Sequence, residues 1–350
     1  YVFKFANEIL NNIKLSLISV LLLESIFFYN FTTPEFNVNV CQLPFWSIVV
    51  YYSWNIYQSK EIRFLDCFLV GLFGAIGFLS KYLFVYLLIS IDLLFIYLIF
   101  LKKLKKFDFK YLITIEIFLV LIVPHLIWLY DNEFITITYG LKRTGLEEMG
   151  IFNYFKLPLI FLLKQVGILI PFLFLIFLLV KKVKYQFKLK DKKFLYLISI
   201  TIMPILLILF TSIILGSKIR TMWMTPFYLF FGVLFVYIFK SQINFRKIQS
   251  FLSGFLFLFF LSPILYSYIS ISQKDKRTDY PGKEIAAKVQ ITWDQNFDKE
   301  IEFVTGNEWN AGNLSYHLKS RPTWEGYNND EILRGASQFI CVDGVCLGRY

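Results

Sequence analysis

The chain has 350 residues, of which 57% are hydrophobic, 20% aromatic and only 17% charged, and its mean hydropathy is +0.58. This composition lies far from that of soluble globular proteins and predicts a protein with many membrane-spanning helices. The formal net charge of +11 does not indicate nucleic-acid binding, because the cations are concentrated in alternate loops between apolar segments, which is a signal of membrane topology.

Nine apolar segments are predicted to cross the bilayer, since about twenty residues with a rise of ~1.5 Å each cover a ~30 Å hydrocarbon core. In chain order the predicted spans are 14–31, 38–57, 64–80, 82–101, 111–130, 155–180, 194–215, 221–239 and 250–271. All are predicted to be helical, because an open segment in lipid has no other way to satisfy its backbone groups. The predicted membrane part is therefore an all-α polytopic protein of about nine spans.

The loops between these spans fall into two alternating sets that differ in charge. One set has seventeen cations: Lys60, Arg63, Lys102, Lys103, Lys105, Lys106, Lys110, Lys181, Lys182, Lys184, Lys188, Lys190, Lys192, Lys193, Lys240, Arg246 and Lys247. The other set has five: Lys81, Lys142, Arg143, Lys218 and Arg220. By the positive-inside rule the first set is cytoplasmic. The second set and the tail after residue 271 are thus predicted to lie on the outer face of the cell inner (plasma) membrane.

The composition changes abruptly at residues 272–284, SQKDKRTDYPGKE. This change predicts two domains, a membrane domain over 1–271 and an extracytoplasmic domain over 272–350. The second domain is predicted to be a small α/β unit, with a helix over 282–297 (GKEIAAKVQITWDQNF), a strand in EIEFVTG, a helix in NEWNAGNLSYHL and a strand near SQFICVDG.

The four cysteines divide between the two predicted domains. Cys41 and Cys67 lie in predicted spans and are interpreted as small apolar residues. Cys341 and Cys346 lie in the exported tail, where their separation permits a disulfide without requiring one.

Two candidate site residues come from the first outer connections. Lys81, in GFLSKYLFVY, lies where one span ends and the next begins without a polar loop. Its ammonium suits a lipid-linked phosphate, although a lysine at this depth can also simply extend to water. Glu35, in TTPEFNVNV, is either a capping and topology residue favoured by the next helix dipole or a polar contact to a head group or sugar.

Two further outer loops carry cations. The loop 131–154, DNEFITITYGLKRTGLEEMGIFNY, contains Lys142 and Arg143, and an amphipathic segment lying on the membrane would also explain its pattern. The shorter loop LGSKIRTMWMTP contains Lys218 and Arg220. Cations from three outer loops could together clamp a phosphate.

Ionisable residues within the predicted spans are expensive in lipid and are expected to face protein or water. They are Glu24, Asp66, Asp92, Glu116, His125 and Lys164. With two histidines and no HExxH, CxxC or glycine-rich phosphate loop, the sequence gives no support to a zinc enzyme or a nucleotide-binding protein.

Several stretches resemble one protein family. They are TPEFNVNVCQLPFW, GLFGAIGFLSKY, VPHLIWLYDNEFIT, SKIRTMWMTPFY and, in the tail, YPGKEIAAKV and VTGNEWNAGNLSYHLKSRP. In this order they resemble bacterial members of the dolichyl-phosphate-mannose protein mannosyltransferase-like family. These are GT-C glycosyltransferases related to the aminoarabinose transferases that modify lipid A. The resemblance runs over nearly the whole chain.

The resemblance implies a GT-C-like enzyme that takes a sugar from a polyprenyl phosphate at the outer membrane face. The acceptor it implies is a glycan, lipid or protein of the cell envelope. By analogy, donor-phosphate binding is assigned to Lys81, Tyr82, Lys218 and Arg220, and the substrate cavity to Glu35, Lys142 and Arg143. No cofactor is assigned with certainty, and a divalent metal ion is the one candidate.

The resemblance also implies a catalytic acidic residue on the first external loop. We expect that loop to precede this sequence, which begins with Tyr1 rather than Met and has no signal-peptide pattern, so no catalytic residue is assigned. Two alternatives stay open: a flippase or transporter of lipid-linked glycans, and a catalytically silent protein whose outer domain only binds a glycan or a partner protein.

Overall fold

A computed structural model describes residues 1–144, 152–180, 191–273, 276, 279–326, 330–342 and 344–350, except for the side chain of Lys142. The chain divides into two compact units, Tyr1–Ser267 and Tyr268–Tyr350. Each unit has a hydrophobic core of its own. The domain boundary expected from the sequence, between residues 271 and 272, falls close to this division.

Helices make up the first unit. They are α1 (Val2–Leu10), α2 (Ile13–Leu21), α3 (Val38–Gln58), α4 (Phe64–Ser80), α5 (Val85–Ile96), α6 (Lys110–Asp131), α7 (Ile135–Arg143), α8 (Asn153–Leu179), α9 (Lys192–Leu215), α10 (Phe231–Phe239) and α11 (Ile248–Ser272), the last of which runs past the division. Short 3-10 turns occupy Leu22–Ser25, Phe27–Tyr29, Tyr82–Phe84, Thr221–Tyr228 and Phe245–Lys247, and Tyr97–Leu101 forms a π-helical turn.

Five helical segments of the described chain are long and apolar enough to cross a membrane. They are Tyr82–Leu101, Lys110–Asp131, Asn153–Leu179, Lys192–Leu215 and Phe245–Ser272. A sixth span results if Thr221–Tyr228 and Phe231–Phe239, which meet at an angle of 53°, together form one broken helix. The protein is therefore a mostly helical, multi-pass membrane protein, as predicted.

The prediction of nine spans is not supported, because three of the predicted segments differ from a membrane-crossing helix. Residues 14–31 do not form one helix, since α2 ends at Leu21 and two 3-10 turns follow. Helix α3 has the necessary length, but Asn39, Gln42 and Asn55 make it too polar. Helix α4 is apolar but has only 17 residues, which at ~1.5 Å each fall short of a ~30 Å core.

Polar side chains cap several of these helices and explain where they begin. The Asn12 side chain accepts hydrogen bonds from the backbone N–H groups of Lys14 and Leu15 at the start of α2. Asn37 caps α3 in the same way, and Asp191 caps α9. Each cap satisfies backbone donors that the first turn of a helix leaves without partners.

Close helix contacts in the first unit depend on glycine. A Cβ on Gly71 of α4 would lie 2.6 Å from the Thr114 carbonyl oxygen of α6, and one on Gly232 of α10 would lie 1.9 Å from the Ser19 carbonyl oxygen of α2. Both distances are far below van der Waals contact, so these pairs of helices approach closely only because the side chains are absent.

A buried polar contact at the centre of the core joins α3 to α9. The Tyr196 hydroxyl donates to the Val50 carbonyl at 2.7 Å and lies 2.7 Å from the Ser53 hydroxyl. The rings of Phe5 and Trp54 pack against the same tyrosine. Because the hydroxyl is hydrogen-bonded, its burial carries no penalty for an unsatisfied polar group, and α1, α3 and α9 are held in register.

The second unit is a small α/β fold. Its elements are α12 (Gly282–Asn296), β1 (Phe303–Thr305), α13 (Glu308–His317), β2 (Thr323–Trp324), α14 (Asp330–Gly335), β3 (Gln338–Val342) and β4 (Val345–Arg349). The strand order is β2-β1-β4-β3, with β2 parallel to β1 and the other neighbours antiparallel. Trp293, Phe303 and Leu347 are buried in its interior. A disulfide joins Cys341 and Cys346, which face each other across the β3–β4 hairpin.

Candidate functional site

Lys81 occupies the sharp connection between α4 and the following 3-10 turn. Its backbone is extended, with φ −166° and ψ 132°, so the helix ends at Ser80 and the chain reverses without a loop. The half-buried ammonium donates a hydrogen bond to the Asn39 side-chain oxygen and lies 5.0 Å from the centre of the Trp223 ring. An amide and an aromatic face thus surround this cation.

Asn39 is held in one orientation by the cap of α3. Its backbone N–H and its side-chain Nδ2 both donate to the Asn37 Oδ1 atom, at 2.9 Å and 2.8 Å. Because the amide nitrogen is engaged in this way, the amide oxygen is the atom directed at the Lys81 ammonium. Asn39 is only 2% exposed, so this contact is part of the packed interior.

Two arginines from separate segments lie close enough to repel the Lys81 ammonium. Burial, and then the positive charges of Arg143 and Arg220, lower the pKa of Lys81 from its usual value to about 7. The two segments meet directly, since the Lys218 backbone N–H donates to the Thr144 carbonyl at 3.0 Å. We call Lys81, Arg143 and Arg220 the cation cluster.

Each arginine of the cluster is positioned by its own segment. The Arg143 guanidinium lies 5.3 Å from the centre of the Tyr139 ring and donates to the Tyr139 hydroxyl at 2.7 Å, one turn back on α7. Arg220 precedes the Thr221–Tyr228 turn, and its carbonyl accepts from the Trp223 backbone N–H at 3.0 Å. The Arg220 carbonyl thus also helps to position the Trp223 ring beneath the Lys81 ammonium.

Within the part of the chain that the structure describes, no carboxylate lies within 4 Å of a charged nitrogen of the cation cluster. Cations that converge repel one another. Such an arrangement is favourable when an anion binds among them.

Tyr82 ties the site to α6 and α7. Its hydroxyl lies 2.7 Å from the His125 Nε2 atom and 2.7 Å from the Thr136 hydroxyl. The His125 ring stacks on Trp128 at 5.7 Å between centroids. Tyr82 is therefore fixed beside Lys81 by contacts from two further helices.

The remaining predicted site residues contribute less to this arrangement. Glu35 is exposed in the connection before α3, and the Lys218 side chain is exposed while its backbone makes the bond to Thr144. The side chain of Lys142 and the acidic residues Glu147 and Glu148 lie outside the described residues. Of the seven predicted residues, Lys81, Tyr82, Arg143 and Arg220 thus come together through side chains.

Sequence reasoning missed three contacts in the site. Asn39 and Trp223 were not chosen, although TPEFNVNV and SKIRTMW were both singled out as motifs. His125 was noted only as an ionisable residue within a span. The available signals were the two asparagines of TPEFNVNV and the tryptophan that follows the cations in SKIRTMW.

In the described chain, no group of three or more His, Cys, Asp or Glu side chains lies close enough together to hold a metal ion. Carboxylates and imidazoles are the usual oxygen and nitrogen ligands of protein-bound metals.

Lysines of the predicted cytoplasmic loops have a different environment. Four of them donate to backbone carbonyls: Lys105 to Ile56 and Ser59, Lys110 to Ile62, Lys193 to Glu8 and Ile9, and Lys247 to Val180. Most of these carbonyls lie at the C-terminal ends of α1, α3 and α8, where they lack partners within the helix. These cations complete helix ends.

The first part of the chain matches a known protein family. Residues 1–128 match the family described as dolichyl-phosphate-mannose-protein mannosyltransferase. This match confirms the predicted resemblance to mannosyltransferases. It includes Asn39, Lys81, Tyr82 and His125, and it supports a membrane glycosyltransferase in general terms. No curated protein and no solved structure matches the chain.

Proposed function

We propose that this protein transfers a sugar from a polyprenyl-phosphate donor to a glycan, lipid or protein acceptor at the outer face of the cell membrane. The observation that carries the proposal is the cation cluster, in which Lys81, Arg143 and Arg220 converge from three separate segments. A phosphate bound there would relieve their mutual repulsion and accept charge-assisted hydrogen bonds.

The chemistry follows from where charge develops in the reaction. The bond between the sugar's anomeric carbon and the phosphate oxygen breaks, and the phosphate leaves with the electron pair. A new bond forms from the acceptor oxygen or nitrogen to the same carbon, and the acceptor's proton passes to a base. Fixed cations beside the departing phosphate lower the barrier, and removing one such preorganised donor typically costs ~10²–10³ in rate.

Two observations support placing this site outside the cytosol. The three cluster residues belong to the loops that carry five cations, opposite loops that carry seventeen. The Cys341–Cys346 disulfide in the second unit favours an oxidising compartment. Both agree with a multi-pass protein of the inner membrane whose C-terminal domain is exported.

The direct test is transfer of radiolabelled sugar from a polyprenyl-phosphate donor, using the full-length protein in membrane vesicles. Lys81→Ala should lower the rate about 10²-fold or more, because the phosphate loses its central cation. Lys105→Ala removes a lysine that contacts backbone carbonyls and serves as the matched control. Equal rates for Lys81→Ala and the unaltered protein would contradict the proposal, and so would transport of an intact lipid-linked glycan without sugar transfer.

A further inference from the structure

A cavity of about 440 Å³ opens in the first unit, beside the 3-10 turns that follow α2. Its walls come from those turns, from α8 and α11, and from the start of the Thr221–Tyr228 turn. Most of the wall is apolar, including Phe27, Phe31, Ile168 and Leu258. The volume lies within the range of sites that hold small molecules, ~300–1,000 Å³.

Two charged residues of opposite sign, Glu24 and Lys164, line this apolar space. The Glu24 carboxylate accepts a hydrogen bond from Asn30 Nδ2 at 2.9 Å, which fixes it in the wall. Among the described residues, no acidic oxygen lies within 4 Å of the Lys164 ammonium. Charges at membrane depth are costly unless they are paired or reach water, so this pair of residues requires an explanation.

The geometry of α8 sets where the Lys164 ammonium can go. Side chains on a helix tilt toward its N-terminus, and a lysine stem allows the ammonium to extend further in that direction. The N-terminus of α8, Asn153, belongs to the predicted outer face. Lys164 follows eleven residues later, ~16 Å along the axis at ~1.5 Å per residue, so its ammonium reaches toward the head-group side of the bilayer.

We propose that the cavity binds a zwitterionic phospholipid whose head group carries a phosphate and a primary ammonium. The phosphate pairs with Lys164, the ammonium donates to the Glu24 carboxylate, and an acyl chain follows the apolar wall formed by Phe27, Phe31 and Leu258. This assignment rests on charge complementarity. A polyprenyl phosphate or another anionic lipid without an ammonium would leave the carboxylate without a cation. The proposal does not depend on sugar transfer.

The test is lipid retention by the full-length protein, purified after supplying equal amounts of phosphatidylethanolamine, phosphatidylcholine and phosphatidylglycerol, and measured by mass spectrometry. The unaltered protein should retain phosphatidylethanolamine at least fivefold over the other two. The methylated ammonium of phosphatidylcholine donates no hydrogen bond. Glu24→Gln should therefore make the retention of phosphatidylethanolamine equal to that of phosphatidylcholine. Lys164→Gln should lower retention of all three.

A blocking variant separates the cavity from other lipid contacts. Gly167 lines the cavity and Gly140 lies in α7, and a Cβ on either would meet nothing within 4 Å. Gly167→Leu should therefore prevent retention without disturbing the fold, and Gly140→Leu should retain lipid as the unaltered protein does. Equal retention of the three lipids by the unaltered protein would overturn the proposal. So would unchanged retention of phosphatidylethanolamine by Gly167→Leu or by Glu24→Gln.

Discussion

The two sets of loops in the membrane unit differ in the groups that their described cations contact. Among the loops rich in lysine, Lys105, Lys110, Lys193 and Lys247 donate to backbone carbonyls, most of them at helix ends. Among the loops poor in cations, Lys81 is surrounded by an amide, an indole and two arginines. These four lysines have structural partners, whereas three of the five cations of the other loops lie close together.

The groups that contact a cation therefore indicate the role of that cation more clearly than its presence in a loop does. A lysine that completes a helix end lowers the free energy of the folded protein without any ligand. A half-buried lysine beside two arginines raises that free energy until an anion binds, because like charges repel and burial removes water. Lys81 has one hydrogen bond, to Asn39, and two like-charged neighbours, and a bound anion would relieve their repulsion.

The largest expected effect comes from removing two charges of the cation cluster. Lys81→Gln combined with Arg220→Gln should lower sugar transfer at least ~10³-fold, since each preorganised donor to a developing charge contributes ~10²–10³. Lys105→Gln combined with Lys247→Gln removes two charges from the opposite loops and should leave transfer within a few fold. Radiolabelled transfer in vesicles measures both. Similar losses of transfer rate in the two double variants would contradict a special role for the cations of the outer loops.

A second prediction concerns stability. Lys193→Met leaves the Glu8 and Ile9 carbonyls at the end of α1 without their donor, and should lower the free energy of unfolding by ~2 kcal/mol. Lys81→Met removes the donor to the Asn39 oxygen but also a repelled, half-buried ammonium, so it should lower stability less than Lys193→Met does. Thermal unfolding of the purified protein in one detergent gives the comparison. The opposite order of the two variants would show that Lys81 is a structural residue.

A third prediction concerns pH. With a pKa of about 7, Lys81 loses its charge as the pH rises above neutrality, so kcat/KM for the donor should fall, approaching tenfold per pH unit at higher pH. Lys81→Arg keeps its charge and should flatten this decline. If the two profiles run in parallel between pH 6 and 9, the decline belongs to another group.

The same shift fixes the sign of the Lys81 contribution to stability. The folded pKa lies below the unfolded one, so between about pH 7 and pH 10 the unfolded chain binds more protons than the folded chain. The free energy of unfolding should therefore rise with pH across this window in the unaltered protein. It should rise less in Lys81→Met, as thermal unfolding at several pH values will measure.

The smallest expected effect is that of Tyr82→Phe. The variant keeps the ring contact with Phe78 but loses the hydrogen bonds to His125 and Thr136. Losing these hydrogen bonds should cost ~1 kcal/mol of donor-binding free energy, because Lys81 is held less firmly. The donor KM should therefore rise about fivefold. His125→Gln, which can still hydrogen-bond the hydroxyl, should show a smaller change. An unaltered KM in Tyr82→Phe would remove Tyr82 from the site.

Much of the general architecture could be predicted from the sequence because it depends on composition and periodicity. Long apolar segments become helices in lipid whatever their neighbours are, and the predicted segment 82–101 is found as Tyr82–Leu101. Hydropathy reports the polarity of a segment, however, and not whether the segment forms one continuous helix. For that reason residues 14–31 were predicted as one helix, whereas the structure breaks the chain after Leu21 into 3-10 turns that line the cavity.

The site shows the same limit at the level of single residues. Charge and loop placement singled out Lys81, Arg143 and Arg220, which the structure brings together, since cations on the outer face are scarce. The partners could not be predicted, because they depend on tertiary packing. In TTPEFNVNV the sequence favoured the carboxylate of Glu35, which is exposed, while the amide of Asn39, held by Asn37, forms the contact to Lys81.

Donor binding, which requires no acceptor, tests the role of the cation cluster most directly. A fluorescent polyprenyl phosphate and the corresponding polyprenol, identical except for the phosphate, would be titrated into the purified full-length protein. The unaltered protein should bind the phosphate at least 100-fold more tightly than the alcohol. The Lys81→Gln/Arg220→Gln variant should bind the two alike, and Lys105→Gln/Lys247→Gln should keep the preference. Retention of the full preference after loss of Lys81 and Arg220 would contradict the claim that the cation cluster holds the donor.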